Sequence, residues 1–408
     1  MRRTIGKMAG RRRAMSRAGS FVALGALLVG LSGCGTDKMP VDSRSSAVQR
    51  VLDRRADAVL ARDASAYRAT GGADPTLLSD LAEVPLDSWT YRLTRLGRTE
   101  GARASATAEL RYRVDGYDKA PVVTERTLKL RKKGGRWYVT DDRPAEKSVE
   151  QLWEQGKVTA VKGAHSLVLG VGQQRSTLRS YADDADDAVP AVESAWGTDW
   201  ARRVVVLVPK SLDGMGELLG APASGYQGIA AVTTGEAGGS RTAPADRVII
   251  NPEAYAVLGW FGKQVVLTHE TAHVATRAVT SAATPLWLSE GYADWAGYRG
   301  SGRSAGQAAP ELQRSVRSGS APARLPEDAD FGFSGDSARL AQAYESGWLA
   351  CRMIADNWGE AKLNAFYKAV GGHQQRSGAV DGALQSVLGI DEQEFLARWR
   401  AYVRDQLS

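Results

Sequence analysis

Histidine is scarce in this chain: only His165, His269, His273 and His373 occur in 408 residues. Two of the four stand four positions apart, with a glutamate after the first, in His269-Glu270-Thr271-Ala272-His273. At about 100° per residue, positions i and i+4 share one helix face, so both imidazoles reach a single ion. Glu270 then lies about 100° round the helix, beside the ion and not on it, where a general base for a metal-bound water belongs. The flanking run VVLTHETAHVAT carries no acid or lysine or arginine apart from Glu270. A buried metal helix requires that, because stray charges would be costly to bury and would compete for the ion.

Catalytic zinc takes three protein ligands and keeps a fourth position open. The chain offers a third ligand downstream, in Trp287-Leu288-Ser289-Glu290-Gly291-Tyr292-Ala293-Asp294-Trp295. Glu290 and Asp294 are four apart, so on a helix they point the same way. Glu290 is expected to bind the metal. Asp294 is expected to accept the N–H of a ligand histidine, which fixes its tautomer and raises its basicity. Pro285 ahead of Leu286 suits the start of that helix.

The pair HExxH and WLxEGxAxW resembles the gluzincin metallopeptidases, in particular the bacterial families around the aminopeptidase N and leukotriene-hydrolase-like fold. The resemblance covers roughly residues 150–408. His273 and Glu290 are 17 apart, slightly closer than in the aminopeptidases. A third stretch, Tyr344-Glu345-Ser346-Gly347, resembles the Tyr-x-x-Gly motif of the same clan. The resemblance implies Zn²⁺ held by His269, His273 and Glu290, and Glu270 as the base. It further implies Tyr344 as hydrogen-bond donor to the oxyanion in peptide-bond hydrolysis. One departure stands out. The aminopeptidases carry Gly-x-Met-Glu-Asn on the strand above the zinc, whose glutamate reads the substrate's free amino terminus, and this chain has no such motif. RVIINPEAY (247–255) occupies the corresponding place, with an edge expected to pair with an extended peptide; Glu253 is the candidate substitute for the missing glutamate, and Pro252 beside it argues against that role. The expectation is therefore an endopeptidase acting on peptide or protein substrates. A zinc fold serving as a binding module, an aminopeptidase and a non-peptide hydrolase remain open.

These motifs need a frame. The expected fold class is α+β, with a small helix-plus-antiparallel-sheet domain followed by a mixed-sheet and helical metallopeptidase domain. Residues 46–64 repeat apolar side chains at the helical period, and from Ser88 four stretches alternate as antiparallel strands do. Residues 46–147 are thus expected to form an accessory α+β domain, resembling the nuclear-transport-factor-2-like cone by element order. In 148–408, residues 157–172 read as a strand pair or one long strand, with His165 within it. Residues 176–196 read as a helix, 201–211 and 247–255 as strands, and about 259–277 as the metal helix. Residues 299–325, rich in Gly, Ser and Ala, read as a flexible crossing. The last helix is expected to start at Asp391 and to bury Phe395, Trp399 and Val403. The acidic run Asp183, Asp184, Asp186, Asp187 lacks the glycine and closing glutamate of a calcium loop and reads as a solvated helix face.

Seven basic residues and no acid lie in residues 1–33, the whole of the net charge of +7; the remaining 46 bases balance 46 acids. That balance excludes nucleic acid as a partner on charge grounds. The basic leader precedes the apolar run 21–31 and Leu31-Ser32-Gly33-Cys34, which resembles a bacterial lipobox. The expected organisation is a lipoprotein signal peptide over 1–33, lipidation of Cys34, and a polar tether over 34–45. The mature protein would then sit outside the cytoplasm, anchored to the cell membrane. The other cysteine, Cys351, falls in an apolar helical run and is expected to be a buried structural thiol.

Overall fold

The structure, a computed structural model, describes residues 43–234, 245–332 and 336–408. The expected signal peptide and Cys34 lie outside the described residues. Among the described residues, no helix is long and apolar enough to cross a membrane.

Helix α1 (Ser43–Leu60) begins three residues inside the stretch expected as tether. Its buried stripe of Val48, Val51, Leu52, Ala56 and Val59 follows the helical period. Two short helices follow, α2 (Ala64–Ala69), capped by Asp63, and α3 (Leu77–Asp80). Strands β1 (Leu86–Glu100), β2 (Arg103–Val114), β3 (Val122–Lys133) and β4 (Arg136–Pro144) then form an antiparallel meander in sequence order. Three register shifts along β1 bend it, because each leaves a residue unpaired and increases the local twist. Trp89, Tyr112 and Trp153 cluster on this sheet, with ring centroids 4.9–5.9 Å apart.

A second, five-stranded sheet contains β5 (Val158–Lys162), β6 (Ser166–Val171), β7 (Val204–Val208), β8 (Ala231–Thr233) and β9 (Val248–Ile250), in the order β5-β6-β7-β9-β8. Strands β6, β7 and β9 are parallel, and β5 and β8 close the two edges antiparallel. Helix α4 (Arg175–Trp196) makes the crossover from β6 to β7. Strand β6 is buried at every position, and its alternation separates two cores. Val168 packs with Leu178, Ala182 and Val189 of α4. Leu167, Leu169 and Val171 join Trp89, Tyr112 and Trp153 of the first unit. The N-terminal meander thus covers the second face of the larger sheet.

The remaining helices are α5 (Leu212–Leu219), α6 (Pro252–Ala256), α7 (Trp260–Thr276), α8 (Leu286–Tyr298), α9 (Ala305–Ala308), α10 (Pro310–Arg317), α11 (Ser337–Trp358), α12 (Glu360–Gly371), α13 (Ala379–Ala383) and α14 (Glu392–Leu407). Asp391 caps α14 and accepts the Glu394 N–H at 2.7 Å, and Phe395, Trp399 and Val403 are buried as expected.

Three expectations need correction. Residues 299–325 are not an unstructured crossing: α9 carries a Ser304/Gln307 capping box, and α10 starts at Pro310 and buries Leu312. Small residues in that stretch hide a helical signal held in its caps. His165 lies in the turn between β5 and β6, not within a strand, and Asp186 accepts the backbone N–H groups of Ala164 and His165 there. The acidic run is likewise only partly solvated, since Asp184 accepts from the buried Tyr255 hydroxyl at 3.3 Å.

Candidate metal centre

Helix α7 is buried on most of its circumference, which suits its lack of a polar face. It runs antiparallel to α8, as three pairings show: His269 with Asp294, His273 with Glu290, and Val265 against Gly297. Helix α8 in turn lies against α11 at backbone contact. A Cβ on Gly291 would stand 2.3 Å from the Gly347 carbonyl, and one on Gly347 would stand 2.5 Å from the Trp287 carbonyl oxygen. The glycines of the two motifs therefore let α8 and α11 touch, which brings Tyr344 over the metal helix. Its ring lies 6.3 Å from that of His269 and 5.2 Å from Phe331.

The ligand atoms converge. His269 Nε2 and His273 Nε2 are 3.0 Å apart, and Glu290 Oε2 lies 3.3 Å and 3.5 Å from them. In a tetrahedral zinc site with bonds of about 2.0–2.1 Å, neighbouring ligand atoms are about 3.3 Å apart. Two imidazole nitrogens and a carboxylate facing one point at this spacing fit the ion. Among the described residues this is the one group of three that could hold a metal. Asp294 Oδ1 sits 2.8 Å from His269 Nδ1, so the proton of that imidazole belongs on Nδ1 and Nε2 faces inward.

The electrostatics point the same way. Burial opposes a charged imidazole, yet Asp294 and Glu290 hold His269 well above the ordinary histidine range. Burial would raise Glu290, but His273 and His269 hold it well below the usual carboxylate range. The pocket is built to hold positive charge, and with Glu270 it gathers three carboxylates around two imidazoles. That excess of negative charge favours a cation among them.

Glu270 is 5% exposed and accepts a hydrogen bond at Oε2 from the Thr233 hydroxyl, at 2.7 Å. Thr233 ends β8, and nothing in its local sequence marked it. Glu345, beside Tyr344, accepts from the backbone N–H groups of Glu311 and Leu312 at 3.2 and 2.5 Å and so holds the start of α10. Burial pushes its carboxyl up to about 7, against the pull of those two N–H groups.

Several sequence candidates stand elsewhere. The exposed edge expected on 247–255 is not there: β9 is paired on both sides, by β7 and β8, and the outer strand is β8. Glu253 lies on α6 with its carboxylate 3.5 Å from the Leu212 N–H, at the start of α5. His373 is exposed, with Nδ1 2.8 Å from the Gln375 carbonyl oxygen. Cys351 is buried on α11 near the Leu288 carbonyl, and burial pushes its thiol well up.

No family model and no curated protein matches the chain. Among solved structures, an M1 zinc metallopeptidase from Deinococcus radiodurans is 14% identical over 75% of this chain and 62% of its own, with a TM-score of 0.34. A mutant of the Deinococcus radiodurans enzyme, bound to a Tyr-Ser-Ala substrate, is 13% identical over 74% and 61%, with a TM-score of 0.35. The chain thus spans about three-fifths of the length of these structures.

Proposed function

We propose that the chain is a zinc-dependent peptide hydrolase. The observation that carries this reading is the convergence of His269, His273 and Glu290 at zinc spacing beside a buried Glu270 that is already hydrogen-bonded into place. Zinc bound there would acidify a water and place a positive charge beside the scissile carbonyl. Glu270 would accept a proton from the attacking water and deliver it to the leaving amine. Tyr344 donates to the oxyanion. Asp294 keeps the His269 ring turned with Nε2 inward. The outer strand β8 gives an extended peptide an edge to lie along, next to Glu270.

Internal cleavage is the favoured mode. Glu253, the sequence candidate for reading a substrate amino terminus, faces the start of α5. The leader and Cys34 add a lipid anchor that would hold the enzyme outside the cytoplasm.

The test is cleavage mapping of a mixed peptide library by mass spectrometry, with zinc-loaded protein beside Glu270→Gln. Internal cuts by the wild type alone, with zinc content equal in both, are expected. Stepwise loss from amino termini would make it an aminopeptidase. Cleavage by Glu270→Gln at the wild-type rate would overturn the mechanism, and no cleavage by folded, zinc-bound protein would favour a binding module.

A further inference from the structure

The turn that leads into the metal helix carries the two most exposed large apolar side chains among the described residues. Val257 is 84% and Trp260 81% exposed, while Tyr255 just before them is fully buried. Neither projecting side chain serves the core. Behind them the rings continue as a row: Phe261 lies 5.9 Å from Trp260 and 6.1 Å from Tyr298, and Tyr298 lies 5.7 Å from Trp348. Arginines stack along this row, with Arg303 4.4 Å over Phe261 and Arg352 5.4 Å over Trp348. Tyr298 and Trp348 open onto a polar pocket of about 240 Å³ whose charged lining is Arg299, Arg303, Arg352, Asp356 and Glu360. Arg299 pairs with Glu360 at 2.7 Å, and Arg352 lies 3.6 Å from Asp356. Arg303 is exposed, and among the described residues no carboxylate lies within ion-pair distance of it.

We propose that this edge is a docking surface for an anionic phospholipid membrane. Val257 and Trp260 enter the boundary between headgroups and acyl chains, and Arg303 at the mouth of the pocket meets a lipid phosphate. Indole rings favour that boundary, because one side of the ring is apolar and its N–H stays wet. Basic residues beside an apolar projection bind anionic bilayers by adding electrostatic attraction to apolar burial. Charge decides between occupants. A two-fold contact with a second copy would bring like patches together, Arg303 near Arg303, whereas an anionic headgroup layer complements the excess of three guanidiniums over two carboxylates. The surface stands independently of the proposed anchor and is compatible with it.

The experiment uses the full chain with Cys34→Ala and Val257→Cys, labelled with an environment-sensitive fluorophore; the buried Cys351 escapes labelling. A matching chain carries the label at Val123→Cys on β3. Vesicles of phosphatidylcholine with phosphatidylglycerol should shift the position-257 emission to the blue and leave position 123 unchanged. Phosphatidylcholine alone should do so weakly. Trp260→Ser should raise the lipid concentration at half-shift about tenfold on both vesicle types. Arg303→Glu should do so only on the anionic ones, with no change in melting temperature for either variant. No shift at 257, or equal shifts at 257 and 123, would overturn the proposal. So would a shift without lipid that grows with protein concentration, which would mark a self-association face, or one produced by substrate peptides.

Discussion

One hydroxyl bears directly on how Glu270 faces the candidate metal site. A glutamate one position after a ligand histidine is near the ion by helix geometry alone, but its carboxylate still has torsional freedom. Thr233 restricts that freedom by donating to Oε2 at 2.7 Å. Thr233→Val should therefore lower kcat by about tenfold to a hundredfold, the range for a lost bond to a charged group. Thr233→Ser should restore it, with zinc content unchanged throughout. An unchanged kcat in Thr233→Val would show that Thr233 does not hold Glu270 in place for the reaction. The contrast with the ligands is instructive. The grouping of His269 with His273 on α7 and of Glu290 with Asp294 on α8 was legible because each pair is fixed by a helical spacing of four, whereas the meeting of the two helices, which the structure shows, is not a matter of spacing. Thr233 lies 37 residues from Glu270 and reaches it only through the pairing of β8 with β9, which no local spacing records.

At the scale of elements, the site depends on how closely two helices approach. α8 supplies Glu290 and Asp294, α11 supplies Tyr344, and Gly291 and Gly347 let their backbones touch. Gly347→Ala places a methyl group 2.5 Å from the Trp287 carbonyl oxygen, so α11 has to move outward. Overpacking of this kind costs about 1–3 kcal/mol, and calorimetry should show it as a lower melting temperature. Activity should fall by more than the loss of folded protein explains, because the displaced helix carries Tyr344. If kcat at a temperature well below melting equals that of the wild type, Tyr344 does not act through this packing. Elements with strong periodicity, such as α7 and α14, were legible within a residue or two. The sheet order was not. Val248, Ile249 and Ile250 are all buried, a continuous apolar run of the kind central strands carry, while the shorter β8 takes the edge. Local pattern describes how a strand is buried and leaves its neighbours unspecified.

Across the whole molecule, the larger sheet is covered on both faces, by α4 and α7 on one and by the N-terminal meander on the other. A buried ion pair lies in the seam of the second face. Asp118, in the turn between β2 and β3, accepts from both terminal nitrogens of Arg247 at 2.7 Å, beside the start of β9. Burial alone would lower the pKa of Arg247, but Asp118 raises it, so the guanidinium stays charged in the seam. Such a pair is poor evidence of net stability, yet breaking it from one side is expensive, because the buried guanidinium then keeps only the Asp246 backbone carbonyl, 3.1 Å from one terminal nitrogen, as a weaker partner. Asp118→Ala should therefore cost about 3–5 kcal/mol. The double variant Asp118→Ala with Arg247→Met removes the stranded charge and should recover most of that loss. If the meander is an integral layer and not an appended unit, far- and near-ultraviolet dichroism should report one shared transition in every variant, moving down and then back. Two separated transitions, with only the first sensitive to Asp118→Ala, would mean that the sheet and its metal site stand without the N-terminal layer.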